Sequence, residues 1–543
     1  MKKISKSIWG LAVIAASSLA VTGCVEETFP TDMATDEIVA GSSAATEALA
    51  NGMPAYFVNV WNADNHIHFG YPAEMIIRDL CTGDYHFIGE TAYIRYRWDS
   101  WSNNQYLGDG YLNTQFHWNY NYGFIGAVNG VIRAIDEESA AAVPLAYLAT
   151  AYAYRALIYL DLARMFEFLP NEIFPDGKNL EGVDVTNLTV PIVKDDITEE
   201  EGKYNPRATR EEMFDFILGD LDKAEKYIVN LPNNGGSALP DLSCVYGLKA
   251  RLYMWVEDYA NAQKYARLAI DNAVVGPLSE GEALSTSNGF NTASDFMWAA
   301  LQNSETYAVQ TGIINWTSWT SNQTTFGYTG AGTGLYSAID KRMYERISDT
   351  DWRKKMWVAP EGSALAGKNT YVSSSEVDFK TLLPAYTSLK FRPANGDADL
   401  YTTGASSSIP IMRVEEMYFI EAEAAEHVAA GTGVELLESF MKNYRDPAYT
   451  YKGNDAIDEI VFQKRVELWG EGQTFFDIKR LDMSVTRGYP GTNWQDPLSW
   501  INTNGRPAWL NFVIVKTEQA NNEALLNHNN PDPSDAYPHW TEE

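Results

Sequence analysis

The stretch CVYGLKARLYMWVEDYANAQKYARLA, Cys244 to Ala269, reads as two helices folded back on one another. Ala250, Tyr253, Ala262 and Ala269 recur at helical spacings, so one face of each segment is small or apolar while Lys249, Lys264 and Arg267 fall elsewhere. Small residues at such a seam let two helix axes approach closely, and an aromatic ring fills the space left beside them. A helix pair of this kind cannot bury its apolar face alone. It implies neighbours stacked on either side.

Those neighbours can be read on both sides. Leu145, Leu148, Tyr152, Ala156, Tyr159 and Ala163 repeat at three- and four-residue steps, which predicts a helix over Leu145 to Phe168. Thr209-Arg-Glu-Glu212 has the form of a capping box and starts a second helix carrying Met213, Ile217, Leu221, Ala224 and Ile228. Leu231 to Pro240, with Asn233-Asn-Gly-Gly236, is a loop. Further helical stretches are expected at Pro410 to Ala430, Val434 to Tyr444 and Ile457 to Leu481. The hairpin looks like a tetratricopeptide repeat, although Ala266 stands where that repeat prefers an aromatic. The expected fold is mainly α, with about four helix pairs. It is interrupted between about 274 and 408 by a loop-rich insertion whose Gly, Ser, Thr and Asn content suits short strands.

The 543 residues carry 72 Asp+Glu against 41 Lys+Arg, a net charge of -31, with 45% hydrophobic residues. Such a chain can bury a large core and is not a disordered tail. It lacks the clustered cations that wrapping a phosphate backbone requires, so nucleic acid is excluded as an expected partner. Residues 1–23 read as a signal peptide: Lys2, Lys3 and Lys6 precede an apolar run from Ile8 to Leu19 that is too short to be an ordinary spanning helix. Leu19-Ala-Val-Thr-Gly-Cys24 then resembles a bacterial lipobox, with Cys24 as the lipidated first residue. Removing the three signal lysines would take the net charge to -34. The acids at Glu26 and Glu27 resemble a surface-export signal of Bacteroidetes-like lipoproteins. Residues 24–50 would include a tether and 51–543 a single domain. Cys81 and Cys244 are expected to be two separate buried thiols.

Near the C-terminus, Val461-Phe-Gln-Lys-Arg465-Val-Glu467-Leu-Trp-Gly-Glu471-Gly472-Gln-Thr-Phe-Phe476-Asp477-Ile-Lys-Arg480 resembles the signature of the SusD/RagB family of surface glycan-binding lipoproteins. Arg413 to Glu423, ending in Glu421-Ala-Glu423, looks like another helix of that family. Trp118, Tyr122, Ile125 and Asn129 match an early one, and Phe512 to Glu518 resembles its late segment. Gln463, Lys464, Thr474 and Val515 depart from the usual pattern. The resemblance implies a SusD-like fold that binds oligosaccharide or polysaccharide at the cell surface, without cleaving it, for a SusC-like TonB-dependent transporter. The chain would be held to the outer membrane by its lipid. A peptide-capturing or structural subunit of a similar complex is the alternative, and a glycoside hydrolase is a third reading.

The residues themselves favour binding. No phosphate loop, dinucleotide fingerprint, His-Glu-x-x-His or nucleophile elbow is present, and no catalytic residue or cofactor is assigned. Glu415, Glu416, Glu421 and Glu423 share one predicted helix, where solvent exposure and salt bridges between helices account for them. His66-Ile-His68 would share a strand face but lacks a third ligand, so no metal site is assigned. Arg465, Glu467, Glu471, Asp477 and Arg480 read as charges paired at helix ends. The stronger constellation is aromatic. Trp98, Trp101, Asn103 and Tyr106, and in the insertion Trp316, Trp319 and Tyr328, mix rings with amides. A pyranose needs both, since its C–H face lies against a ring while its hydroxyls need polar partners once water leaves. These seven residues are the expected glycan contacts.

Overall fold

The computed structural model describes residues 43–89, 104–232, 236–287, 289–453, 455–495 and 499–542. Its body is a stack of eight helices, Leu112–Ala134, Ala142–Phe166, Arg210–Tyr227, Leu242–Trp255, Tyr259–Asn272, Val414–Val428, Thr432–Tyr444 and Ala456–Glu467, each packing on the next. Helix Ser43–Phe57 packs across the first two. The mainly helical, repeat-like fold expected from the sequence is the fold observed.

Local chemistry sets these helices where the sequence placed them. Thr209 accepts from the Glu212 N–H at 3.2 Å while the Glu212 carboxylate accepts the Thr209 N–H at 2.9 Å, a reciprocal cap. Asp241 and Asp258 cap both helices of the hairpin through the N–H groups of Cys244 and Asn261. Ala250, Ala262, Ala266 and Ala269 are fully buried at its seam, and Tyr253 stacks on Tyr265 with ring centroids 5.4 Å apart. Helix Ala142–Phe166 goes further than its apolar face implied, because its middle is buried on every side. It is the central rod of the stack.

The region from 274 to 408 contains short helices and two strands, and both strands pair outside it or at its edge. β1 (Tyr85–Gly89) pairs antiparallel with β3 (Leu335–Ile339), and β2 (Trp298–Leu301) with β4 (Ser408–Met412). Pro410 to Met412 is therefore strand, and the helix expected from Pro410 begins at Val414. The helix expected over Ile457 to Leu481 is likewise two helices, Ala456–Glu467 and Thr474–Arg480. Gly470 and Gly472 between them have φ of 78° and 70°, in the left-handed region. A Cβ on Gly472 would lie 2.7 Å from the Met75 backbone, and its N–H donates to Asp79 at 2.9 Å. The break lets the C-terminal segment dock on helix Tyr71–Leu80.

What joins stack and insertion is a buried ionic hub. Glu467, 2% exposed, accepts from Arg445 at 2.7 and 2.9 Å, from Arg413 at 2.8 Å and from Arg353 at 3.1 Å. Glu415 also binds Arg413 and Arg445, Glu471 binds Arg413 and Lys390, and Asp351 binds Arg353. Four cations meet four acids. Burial disfavours the Glu467 carboxylate, but the Arg445, Arg413 and Arg353 guanidinium groups outweigh it and hold the group well below the usual range. The paired-charge reading of Arg465, Glu467, Glu471, Asp477 and Arg480 agrees with the structure. Arg465 binds Asp84 at 2.8 Å, and Asp477 binds both Lys464 and Arg480. Glu415, Glu416, Glu421 and Glu423 are not solvated, however. All are buried, because arginines from other segments reach them: Arg251 to Glu416, Arg267 to Glu421 and Arg480 to Glu423.

A second buried set, Asp161 with Arg78, Arg164 and the Tyr71 hydroxyl, ties helix Tyr71–Leu80 to the central rod at 2.5–2.7 Å. Burial would raise the Asp161 pKa, but Arg78 and Arg164 outweigh it and push it down to about 2. A depressed carboxylate contributes stability that is complete above its unfolded pKa and is lost as pH falls through the folded value. Asp161→Asn is expected to cost about 3 to 5 kcal/mol near neutral pH by leaving buried arginines underpaired. The difference from wild type should shrink as pH falls from about 4 toward 2. Urea denaturation across that range checks both; a gap independent of pH would contradict the assignment.

Candidate functional site

Of the seven sequence-predicted glycan contacts, Trp98, Trp101 and Asn103 lie outside the described residues, as does Cys24. The other four divide sharply. Trp316 and Trp319 are fully buried. They occupy the short helix Trp316–Thr320, whose start is capped by Asn315 accepting the Ser318 N–H at 2.9 Å. Trp316 packs edge-on against Phe391 at 5.2 Å, while Trp319 donates from Nε1 to the His66 carbonyl at 3.0 Å. Neither ring offers a face to a sugar, so both are corrected to core. Tyr328 is half-buried, stacks on Trp319 at 4.2 Å and hydrogen-bonds through its hydroxyl to His66 Nδ1.

Tyr106 is the opposite case: the residue is 56% exposed. The tight turn that presents it has Asn104 and Tyr106 at φ of 58° and 56°. Hydrogen bonds hold that turn to the body: the Leu107 N–H donates to Ser534 at 2.9 Å, Thr114 donates to the Gly108 carbonyl at 2.8 Å, and the Asn104 and Asp109 carbonyls accept from the Asp535 and Lys516 N–H groups. The sequence reading missed Tyr111, which is 44% exposed and meets Tyr106 edge-to-face at 5.3 Å. Its signal was available: Tyr111 directly precedes helix Leu112–Ala134, where a ring need not face the core. Asp109, Asp532 and Asp535 supply carboxylates around this turn, with Asp109 accepting from Gln519 at 3.1 Å.

The loop from Trp61 to His68 links the two ring clusters. His66, at φ 54°, caps the turn Ala63–Asn65 and contacts Tyr328 and Trp319, whereas His68 donates to Asn113 at 3.1 Å and stacks on Phe116 at 4.5 Å. The two imidazoles therefore do not share a strand face. Among the described residues no group of three or more His, Cys, Asp or Glu could hold a metal ion. Cys81 and Cys244 are separate buried thiols, and burial raises the Cys81 thiol to about 12.

Comparison with known proteins agrees with this architecture. Residues 299–508 match the model of the SusD family, and residues 82–254 match a family described as starch-binding associating with outer membrane. No curated protein matches. Among solved structures, a SusD-like carbohydrate binding protein from Bacteroides vulgatus aligns with a TM-score of 0.69 at 20% identity, over 89% of this chain and 98% of that one. A SusD superfamily protein from Bacteroides thetaiotaomicron aligns at 0.65 and 17% identity, over 90% and 99%. One from Parabacteroides distasonis aligns at 0.59 and 16%, over 91% and 98%. The chain belongs to the SusD family.

The division of the rings is open to a direct test. Trp316→Ala or Trp319→Ala should destabilise the fold by about 3 to 5 kcal/mol, the cost of emptying a large core site. Tyr106→Ala should stay within about 0.5 kcal/mol of wild type, as exposed substitutions do. Guanidinium denaturation gives both numbers, and a Trp316→Ala protein as stable as wild type would return that ring to the surface.

Proposed function

We propose that this protein is a non-catalytic glycan-binding lipoprotein of the outer cell surface, and that the exposed Tyr106–Tyr111 pair is part of its sugar platform. The observation that carries this is the pair itself: two large rings, each more than 40% exposed and set edge-to-face on a braced turn. Trp98, Trp101 and Asn103, just upstream, would extend the platform, and Tyr328 would mark its far side. The family description and the carbohydrate-binding relative point the same way. A ring face takes the C–H side of a pyranose, and each stacking ring removes apolar area worth about 1 to 3 kcal/mol from water.

Capture without cleavage suits the carboxylates. Hydrolysis of a glycosidic bond needs two acids free to flank it. The four acids of helix Val414–Val428 are instead each held by an arginine in the core. Delivery to a TonB-dependent transporter and attachment through Cys24 complete the proposal. No helix among the described residues is long and apolar enough to cross a membrane, so the lipid would supply the attachment. An overall charge of -31 favours a neutral glycan over a polyanionic one.

Binding should be measured by calorimetry on a panel of neutral and acidic polysaccharides, with reducing-end release followed in the same samples. The expected outcome is saturable binding to a neutral glycan with no new reducing ends. Tyr106→Ala and Tyr111→Ala should each weaken it about 5- to 100-fold at unchanged stability. Wild-type affinity in the double variant would remove the pair from the site. New reducing ends would make the protein an enzyme, and binding of peptides alone would favour the peptide-capturing alternative. Cys24→Ala should release the folded protein from the membrane fraction. Retention of that variant in the absence of the transporter would contradict lipid attachment.

A further inference from the structure

Away from the exposed rings, a cavity of about 220 Å³ lies among helices Ala142–Phe166, Leu242–Trp255, Val414–Val428 and Thr474–Arg480. It reaches the surface beside Asn187 and Glu257, both exposed. Its composition runs against that of the whole molecule. Seven cationic side chains line it against four acids, in a chain whose net charge is -31.

Three of the acids are already engaged, and the fourth, Glu257, is exposed at the mouth. Glu416 is taken in a two-point contact by Arg251 at 2.7 and 2.5 Å. Asp477 is divided between Lys464 and Arg480. Glu167 is divided between Arg210 at 2.5 Å and the Trp255 indole N–H at 2.9 Å. Five of the seven cations are paired, Arg164 with Asp161 and Arg480 with Glu423 among them, and Lys479 and Arg506 are left without a close counter-charge among the described residues. Lys479 is 3% exposed, and its ammonium donates to the Met165 carbonyl at 2.9 Å with no carboxylate in ion-pair range among the described residues. Arg506 donates to the carbonyls of Lys479 and Pro170, and its ion pair, with Asp482, is a long 3.8 Å. Arg251 is 2% exposed, and its Nη1 has no hydrogen-bond partner. A buried cation without a counter-charge is costly, and so is a buried donor left unmade. Burial holds Lys479 well below the ordinary ammonium range; Glu167 opposes this, and the guanidinium groups of Arg506, Arg207 and Arg210 add to it. An anion in the cavity would reverse each of these penalties.

We infer that this cavity binds a small oxyanion, held by Lys479 and Arg506 with the unpartnered Nη1 of Arg251 as a further donor. Charge-assisted bonds from guanidinium and ammonium groups are the strong class for carboxylate and phosphate oxygens. Two sources share this chemistry, an inorganic ion such as phosphate and the carboxylate of a sugar acid, and the cavity admits either.

The test is a melting-temperature titration of the full-length protein at constant ionic strength, with phosphate, sulfate, glucuronate and chloride as separate probes, followed by calorimetry on any that act. A saturable rise with phosphate or sulfate beyond matched chloride identifies an inorganic ion, and a rise confined to glucuronate identifies the sugar acid. Arg506→Gln, at the half-buried mouth, should fold and bind the active probe at least 10-fold more weakly. Lys479→Gln should do the same if it folds. Binding of neutral glycan should be unchanged in Arg506→Gln, which separates this site from the Tyr106–Tyr111 platform. Absence of a saturable response to every oxyanion, or equal affinity in wild type and Arg506→Gln, would overturn the inference.

Discussion

Everything in this molecule is arranged around Glu467 and the three arginines that converge on it. Arg353 comes from the insertion, Arg413 from the start of helix Val414–Val428 and Arg445 from the end of helix Thr432–Tyr444. With Lys390, Glu415, Glu471 and Asp351 the hub is electrically balanced, so its burial is tolerable where a lone ion would not be. Breaking it on one side leaves an uncompensated charge inside the protein. An apolar core would hold the same segments together less specifically, because oil-like contacts can slide. A set of directional ion pairs admits one arrangement of insertion against stack.

That rigidity is what a surface platform requires. Tyr106 and Tyr111 sit on a turn whose backbone is tied to the C-terminal segment and to the start of helix Leu112–Ala134. The loop Trp61 to His68 is clasped between that helix and the Trp319–Tyr328 stack. Under the proposed function, rings held this way would lose little freedom on stacking against a sugar, so less of the stacking energy would be spent on ordering the site.

The helices were legible because their signals are local. The Thr209 cap, the Ala250–Ala269 seam and the period of Leu145 to Ala163 involve residues within a few turns of one another. The misreadings involve partners that are distant in the chain. Glu416 and Glu421 look like solvated helix acids until Arg251 and Arg267 arrive from more than 150 positions away. Trp316 and Trp319 sit among Asn, Ser and Thr in a composition that suits a sugar site. There the amides and hydroxyls cap and brace a buried turn, and the Trp319 indole is satisfied by a backbone carbonyl 253 positions away. Composition cannot separate these cases, since a ring beside an amide is equally at home in either. The break at Gly470 and Gly472 was visible as two glycines, but the need for it comes from helix Tyr71–Leu80, which the C-terminal segment must approach.

The pairing of early with late segments also bears on how the chain is made. The Trp469 indole donates to the Asp84 carbonyl across 385 positions, and β1 waits for a partner 250 residues downstream. At about 5 to 20 residues per second of synthesis, roughly 20 to 80 s separate the appearance of residue 84 from that of residue 469. Contacts so remote also close slowly, because the intervening chain must first be gathered. The N-terminal third can form its internal locks early, the Asp161 set among them, but its ties to β3 and to Trp469 wait until those segments exist. A polypeptide of this kind can finish folding only when its last segment arrives, so its completion is timed by the end of the chain rather than by its beginning.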